Sequence, residues 1–168
     1  MLRASNESNL FCAWQFLQRR RLGSSMITVL MGAPGAGKST WVRNNKTGNE
    51  HVYNIDVIRA NKDMDVNAYT RHMRMKAIMK VEEGYDLIAD ATHVLKTHRL
   101  LWLALADRLA QETRLVVFDT RREFLLEAQE NREFPVKNSV VIDQHRRFQV
   151  AKNDIKREGW GSIEIITR

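Results

Sequence analysis

Cysteine is almost missing from this sequence: Cys12 stands alone among 168 residues. One thiol excludes an internal disulfide and any zinc site built on cysteines, and it suits a reducing, cytoplasmic setting. Long apolar runs are missing too. No stretch approaches the roughly 20 residues of a membrane-spanning helix, and charges interrupt each candidate, so the sequence predicts a soluble protein with no membrane partner. No internal repeat or low-complexity tract is present. The start does not read as a secretory signal: such a signal's positive charges would precede an apolar segment, whereas here Phe11, Trp14 and Phe16 come before Arg19, Arg20 and Arg21. Acidic excess is absent, the formal charge being +7. Residues 1–25 supply +3 of that through Arg3, Arg19, Arg20 and Arg21 against Glu7. The remaining excess is compatible with a polyanionic partner and equally with nucleotide binding alone.

With 43% hydrophobic and 28% charged residues, the composition is that of one ordinary globular domain able to bury a core. That domain is expected over residues 26–168. Residues 1–25 read as an appended extension with one helical stretch over 10–22. Two readings of it stay open: translation begins at Met26, or the extension is a surface helix or partner-binding arm.

The most informative stretch is Gly32-Ala33-Pro34-Gly35-Ala36-Gly37-Lys38-Ser39, preceded by the apolar run 26–31. Backbone N–H groups wrapped around a phosphate need a chain that can take positive φ and approach closely, which glycine permits. Lys38 is placed to reach the β- and γ-phosphates and the Ser39 hydroxyl to ligate Mg²⁺. Gly35, Ala36, Gly37, Lys38, Ser39 and Thr40 are therefore the expected ATP-binding residues, with ATP and Mg²⁺ the implied cofactors.

From there strands and helices alternate. Apolar runs predict strands over 27–31, 51–56, 86–92, 113–118 and 162–167, and helices over 38–45, 65–83, 96–112, 122–130 and 139–152. The second helix shows Tyr69, Met73, Ala77 and Val81 as an inward stripe, with Arg71, Arg74, Lys76 and Lys80 on its other faces. Alternation of this kind predicts an α/β fold: a parallel sheet of about five strands with helices on both faces. Ligands in such folds gather at the carboxyl ends of the strands. That singles out Asp56, Asp90 with Thr92, and Asp119.

Phosphoryl transfer needs held phosphates, neutralised charge and an aligned nucleophile. Asp56 at a strand end beside the loop can act as general base, or it is a turn or N-cap residue. Asp90 can complete the Mg²⁺ shell through water, or cap the following helix. Arg132, between two helices on the nucleotide side, can swing over the transferred phosphate, or it is an ordinary surface arginine. His93 and His98 lack a third ligand and read as packing or surface residues. Asp119, Arg121 and Arg122 read mainly as solvated charges, with nucleotide contact as the alternative, and Trp41, Trp102 and Trp160 as core or edge packing.

The segments GAPGAGKSTW, YNIDVIRA, LIADAT and ENREFPVKNSVVID resemble the phage and bacterial polynucleotide 5′-hydroxyl kinases, a branch of the P-loop kinases. The resemblance runs from Met26 to about Phe148 and implies the P-loop kinase fold. It implies that Asp56 is the general base, that Arg59 contacts a phosphate of the acceptor strand, and that Arg132 is the lid arginine on the ATP phosphates. Thr92 stands where these enzymes often carry Asn, and with Arg59 it joins the implied acceptor-binding residues. The helix bearing Arg71 and Arg74 either extends the strand-binding track or is a solvated face. The implied reaction is transfer of the γ-phosphate of ATP to the 5′-hydroxyl of a DNA or RNA end. Two alternatives stay open: a kinase for a small hydroxylated metabolite, nucleoside or modified base, and a non-catalytic nucleotide-dependent binding module.

Overall fold

The computed structural model describes residues 25–54 and 66–168. All of the expected extension but Ser25, together with Asp56 and Arg59, lies outside the described residues.

Five strands form one parallel sheet: β1 (Met26–Met31), β2 (Glu50–Asn54), β3 (Asp86–Asp90), β4 (Glu112–Asp119) and β5 (Ser162–Thr167). Their spatial order is β2-β3-β1-β4-β5, every neighbouring pair parallel. β1 lies in the middle, and Ile27, Val29, Leu30 and Met31 are wholly buried. A strand covered on both faces reads as a continuous apolar run, which is why ITVLM shows no polar alternation.

The pleat nevertheless sorts the side chains into two cores. Ile27, Val29, Met31, Leu87, Ala89, Leu115 and Val117 face one way. They meet Ala77 and Val81 of α2 (Val66–Glu82), and Trp102, Leu105 and Ala106 of α3 (Lys96–Leu109). Leu30, Ile88, Val116 and Phe118 face the other way. They meet Val42 of α1 (Lys38–Asn45) and Leu125 of α4 (Arg122–Glu130). Each Val, Leu, Ile, Met or Phe side chain so buried contributes about 1.5–3 kcal/mol, and each Ala less. The chain leaves β1 in one direction for β2 and later returns past it from β3 to β4. With right-handed crossovers this reversal puts α1 opposite α2 and α3.

The last helix, α5 (Asn138–Ala151), belongs to both cores: Val141 packs with the α1 layer and Phe148 with the α3 layer. Its C-terminal half reaches the carboxyl end of β4, where Lys152 Nζ lies 3.0 Å from an Asp119 oxygen. Asp119 is thus ion-paired and not a freely solvated charge; a helix crossing the strand end covers it. A 3₁₀ turn (Ile155–Arg157) then leads into β5. No helix among the described residues is long and apolar enough to cross a membrane.

Candidate functional site

The loop after β1 is shaped by glycine at two positions with different demands. Gly35 has φ +90°, and a Cβ on it would sit 2.6 Å from Gln129 Nε2 and 2.9 Å from the Leu125 carbonyl. Gly37 has φ +95° with open space around it, so conformation alone selects glycine there. The loop is fastened at its start by the Gly32 N–H, which donates to the Thr92 carbonyl at 3.0 Å. It continues into α1 through the Trp41 N–H, which donates to the Gly37 carbonyl at 2.9 Å. The N–H groups of the first turn of α1 have no partner within the helix, which makes this end a natural anion site.

Lys38 is buried, and its ammonium donates to the Gly32 and Ala33 carbonyls at 3.0 Å each. The side chain is therefore folded along the loop with its charge kept inside the cradle. Ser39 Oγ donates to Asp90 Oδ2 at 3.0 Å, and Asn54 Nδ2 donates to the same oxygen at 3.0 Å. Asp90 ends β3 and is buried, and α3 begins only at Lys96, capped by Leu95. The N-cap alternative for Asp90 is thereby removed.

A hydroxyl and a carboxylate side by side are hard oxygen donors of the kind Mg²⁺ prefers. Among the described residues no group of three or more His, Cys, Asp or Glu side chains could hold a metal. Mg²⁺ fits that shortage, since it keeps several waters and takes one or two protein ligands beside substrate phosphates.

Opposite the loop stands the helical pair α4 and α5. A pocket of about 370 Å³ is lined by Gly35, Gly37, Lys38, Ser39, Thr92 and Arg132, among others. Gly35, Gly37, Lys38, Ser39 and Thr40 of the expected loop residues thus share one crevice with Arg132, whereas Ala36 turns into the core beside Leu30 and Val42. Arg132 is half-buried, and its segment is held by Gln129, a buried residue no motif announced. Gln129 Nε2 donates to the Leu125 carbonyl at 3.0 Å and to the Pro34 carbonyl at a longer 3.4 Å. Its Oε1 accepts from the Val136 N–H at 3.1 Å. One amide therefore ties α4 to the phosphate loop and to the chain beyond Arg132.

A second crevice of about 820 Å³ lies at the carboxyl ends of β4 and β5, between Thr120, Arg122, His145 and Arg168. The Thr120 hydroxyl lies 3.5 Å from the Ala36 carbonyl, joining this crevice to the loop.

On the other side of Thr92 opens a cavity of about 570 Å³, reaching Tyr53, Arg74, His98, Trp102 and Gln144. Thr92 lines both this cavity and the loop pocket. Arg74 is half-buried at the cavity, whereas Arg71 is exposed on α2.

The β3–α3 connection carrying Thr92 is held rigidly. His93 is buried with φ +42°; its Nδ1 lies 2.8 Å from the Leu30 carbonyl and its Nε2 2.9 Å from Trp102 Nε1. A carbonyl only accepts and an indole N–H only donates, so the imidazole is neutral with its proton on Nδ1. Burial drives its pKa down to about 4. The His93 carbonyl accepts from Arg99 Nη1 at 2.7 Å, and Arg99 forms a two-pronged pair with Glu158 at 2.9 and 2.5 Å. Burial alone would raise the Glu158 pKa, but hydrogen bonds from Arg99 and Trp160 and the guanidinium charge hold it below the usual value. His93 is thus a packing residue, as its isolation from other ligands implied, and Trp102 is core.

A family model described as an AAA domain matches residues 27–151. The chain belongs to this AAA-domain family. Among curated proteins no match is found. Solved structures share the fold. A chain of the Pnkp1/Rnl/Hen1 RNA repair complex is 19% identical with a TM-score of 0.65, over 79% of this chain and 46% of that one. A chain of the PezAT chromosomal toxin–antitoxin system of Streptococcus pneumoniae is 16% identical with a TM-score of 0.59, over 93% and 77%. Deoxyadenosine kinase from M. mycoides with bound dATP is 10% identical with a TM-score of 0.51, over 84% and 90%. The chain therefore spans less than half of the RNA repair chain it matches. At these identities the likeness is one of fold: this AAA-domain chain has the α/β P-loop kinase fold, with the parallel sheet of five strands that its sequence predicts.

Proposed function

We propose that this chain is an ATP-dependent phosphotransferase acting on the 5′-hydroxyl of a DNA or RNA end. The observation that carries the reading is the place of Thr92, a shared wall between the phosphate-loop pocket and a second cavity large enough for an acceptor. A donor site and an acceptor site meeting at one residue is what in-line transfer requires.

In this reading the loop N–H groups and Lys38 hold the β- and γ-phosphates, and Arg132 approaches the transferred phosphoryl from the α4–α5 side. Ser39 and, through water, Asp90 would hold Mg²⁺, which when bound supplies charge neutralisation between the phosphates. Asn54 fixes the Asp90 carboxylate and keeps one of its oxygens turned toward Ser39. Asp56, directly beyond β2, accepts the proton of the attacking hydroxyl. The new bond joins the acceptor oxygen to the γ-phosphorus, the bond to the β-bridging oxygen breaks, and ADP leaves. Arg59 and Arg74 hold acceptor phosphate, with Arg71 further out on the same helix.

A cavity of about 570 Å³, the size of a small-molecule site, also favours a second reading, in which the acceptor is a free nucleoside or another small hydroxylated metabolite. One experiment separates them: labelled ATP and Mg²⁺ are incubated with a 5′-hydroxyl oligonucleotide, a free nucleoside and a 3′-phosphorylated nucleoside. Label on the oligonucleotide and the 3′-phosphorylated nucleoside is the expected result. Label on the free nucleoside and never on the oligonucleotide would sink the first reading, and ATP binding with no transfer would leave only a binding module.

A further inference from the structure

The cavity beside Thr92 carries a chemical signature of its own. Its floor is aromatic: Tyr53 and Trp102 meet edge to face with ring centroids 5.2 Å apart, and both are buried. The Trp102 N–H is already spent on His93. Two polar atoms are not spent. Tyr53 Oη and Gln144 Oε1 are buried without a hydrogen-bond partner, and both residues line this cavity. Arg74 faces the Tyr53 hydroxyl, but its geometry falls short of a hydrogen bond. Buried polar atoms left unpaired are costly, and natural proteins rarely keep them without a use. Arg74, His98 and Arg108 line the cavity, and among the described residues no carboxylate does. The surroundings are thus apolar and aromatic, with two acceptor-capable oxygens and the Arg74 and Arg108 guanidiniums as cationic neighbours, while burial and the nearby Arg74 and Arg99 charges hold the His98 pKa below its ordinary value.

We propose that this cavity holds the nucleobase of the acceptor's terminal nucleoside, reading an N–H of the base through Tyr53 Oη and Gln144 Oε1. The orientation rests on the kinase reading, since Thr92 then sets the sugar hydroxyl toward the phosphate loop while the cations take the backbone phosphate. A lipid or fatty acyl group would leave both oxygens unpaired, and a sugar phosphate would leave the aromatic floor uncovered. Every standard base offers at least one N–H, whereas an abasic residue offers none. The site would therefore accept ends of any sequence and reject ends that have lost their base. Gln144 comes from α5, so the base would be read partly by the helical pair that carries Arg132.

The test uses the full chain with ADP or ATP, Mg²⁺ and three 5′-hydroxyl pentanucleotides. Their 5′ residues are adenosine, unsubstituted purine riboside (no base N–H) and an abasic tetrahydrofuran. Binding is measured with ADP, and kcat/KM with ATP. Adenosine should exceed purine by about tenfold in both measures, the scale of one unpaired buried group, and the abasic end should be weaker still. Tyr53→Phe and Gln144→Leu, which keep side-chain volume, should each shrink the gap between adenosine and purine. Equal values for the adenosine and abasic ends would overturn the pocket and leave the kinase standing. Base-dependent binding with no transfer to any oligonucleotide would support the pocket and overturn the kinase. An unchanged gap in both variants would overturn the assignment to these two oxygens.

Discussion

Ser39 and Asp90 are 51 positions apart in the chain and joined by a hydrogen bond of 3.0 Å between hydroxyl and carboxylate. The contact spans two neighbouring strands: Ser39 follows the loop after β1, and Asp90 closes β3, hydrogen-bonded to β1 in parallel register with Leu30 opposite Asp90. Asn54 at the end of β2 locks the same oxygen from the other side. Three adjacent strand ends thus define one oxygen-rich point below the loop.

Replacing Asp90 by Asn keeps the shape and removes the charge. Mg²⁺ affinity in the presence of ATP should fall by about 10–100-fold, read from the Mg²⁺ dependence of the rate. Asn54→Ala should produce the same trend more weakly, because it removes one donor from the carboxylate and leaves its charge. An unchanged Mg²⁺ requirement in Asp90→Asn would exclude Asp90 from the metal shell.

Lys38→Ala, Asp56→Ala and Arg132→Ala should each lower turnover by at least about 100-fold, in line with charge stabilisation and general-base catalysis. Circular dichroism and the melting temperature would show whether the fold survives. A near-normal rate in any one of them removes that residue from the mechanism.

Stability should depend on pH through His93. Its folded pKa lies near 4 against 6.5 for the free group, so below pH 6.5 the unfolded chain takes up a proton that the folded chain refuses. The contribution is complete above about pH 6.5, declines as pH falls and is lost near pH 4, amounting to roughly 3 kcal/mol. Urea midpoints at pH 7, 5.5 and 4.5 for the natural protein and for His93→Gln give the difference. Parallel curves for the two would contradict the assignment.

The Arg99–Glu158 pair is almost fully withdrawn from water, with side chains 1% and 0% exposed. Glu158→Gln leaves a guanidinium buried without its counter-charge and should cost about 3–5 kcal/mol in denaturant unfolding. The double variant Arg99→Met with Glu158→Leu should recover much of that loss. A single variant as stable as the parent would mean that the pair reaches water.

The parts of the site governed by local chemistry were legible in the sequence. The glycine loop, the run of strands and the acids at their ends are local patterns, and α4 and β5 occur over the residues predicted. The order of the strands was not, because pairing is decided by which helices cover which face. Asn54 gave no signal: a single amide at a strand end is ordinary. Gln129 could have been suspected, since it falls four residues after Leu125 on the buried side of α4, where an apolar residue belongs. His93 looked like packing, but the residues of its network, Leu30 on β1, Arg99 and Trp102 on α3, and Glu158 before β5, come from three separate stretches that only the tertiary fold unites. For Asp56 and Arg59, the resemblance remains the argument.

Gln129 holds both ends of the segment that bears Arg132, through Pro34 and Leu125 on one side and Val136 on the other. The stretch 130–135 is accordingly a closed cassette whose footing does not depend on its own letters. Its sequence and length can drift, or be exchanged by design, while the cradle beneath keeps its shape. Reach over the phosphates is then set by six residues and stability by the rest, so the two can be tuned apart.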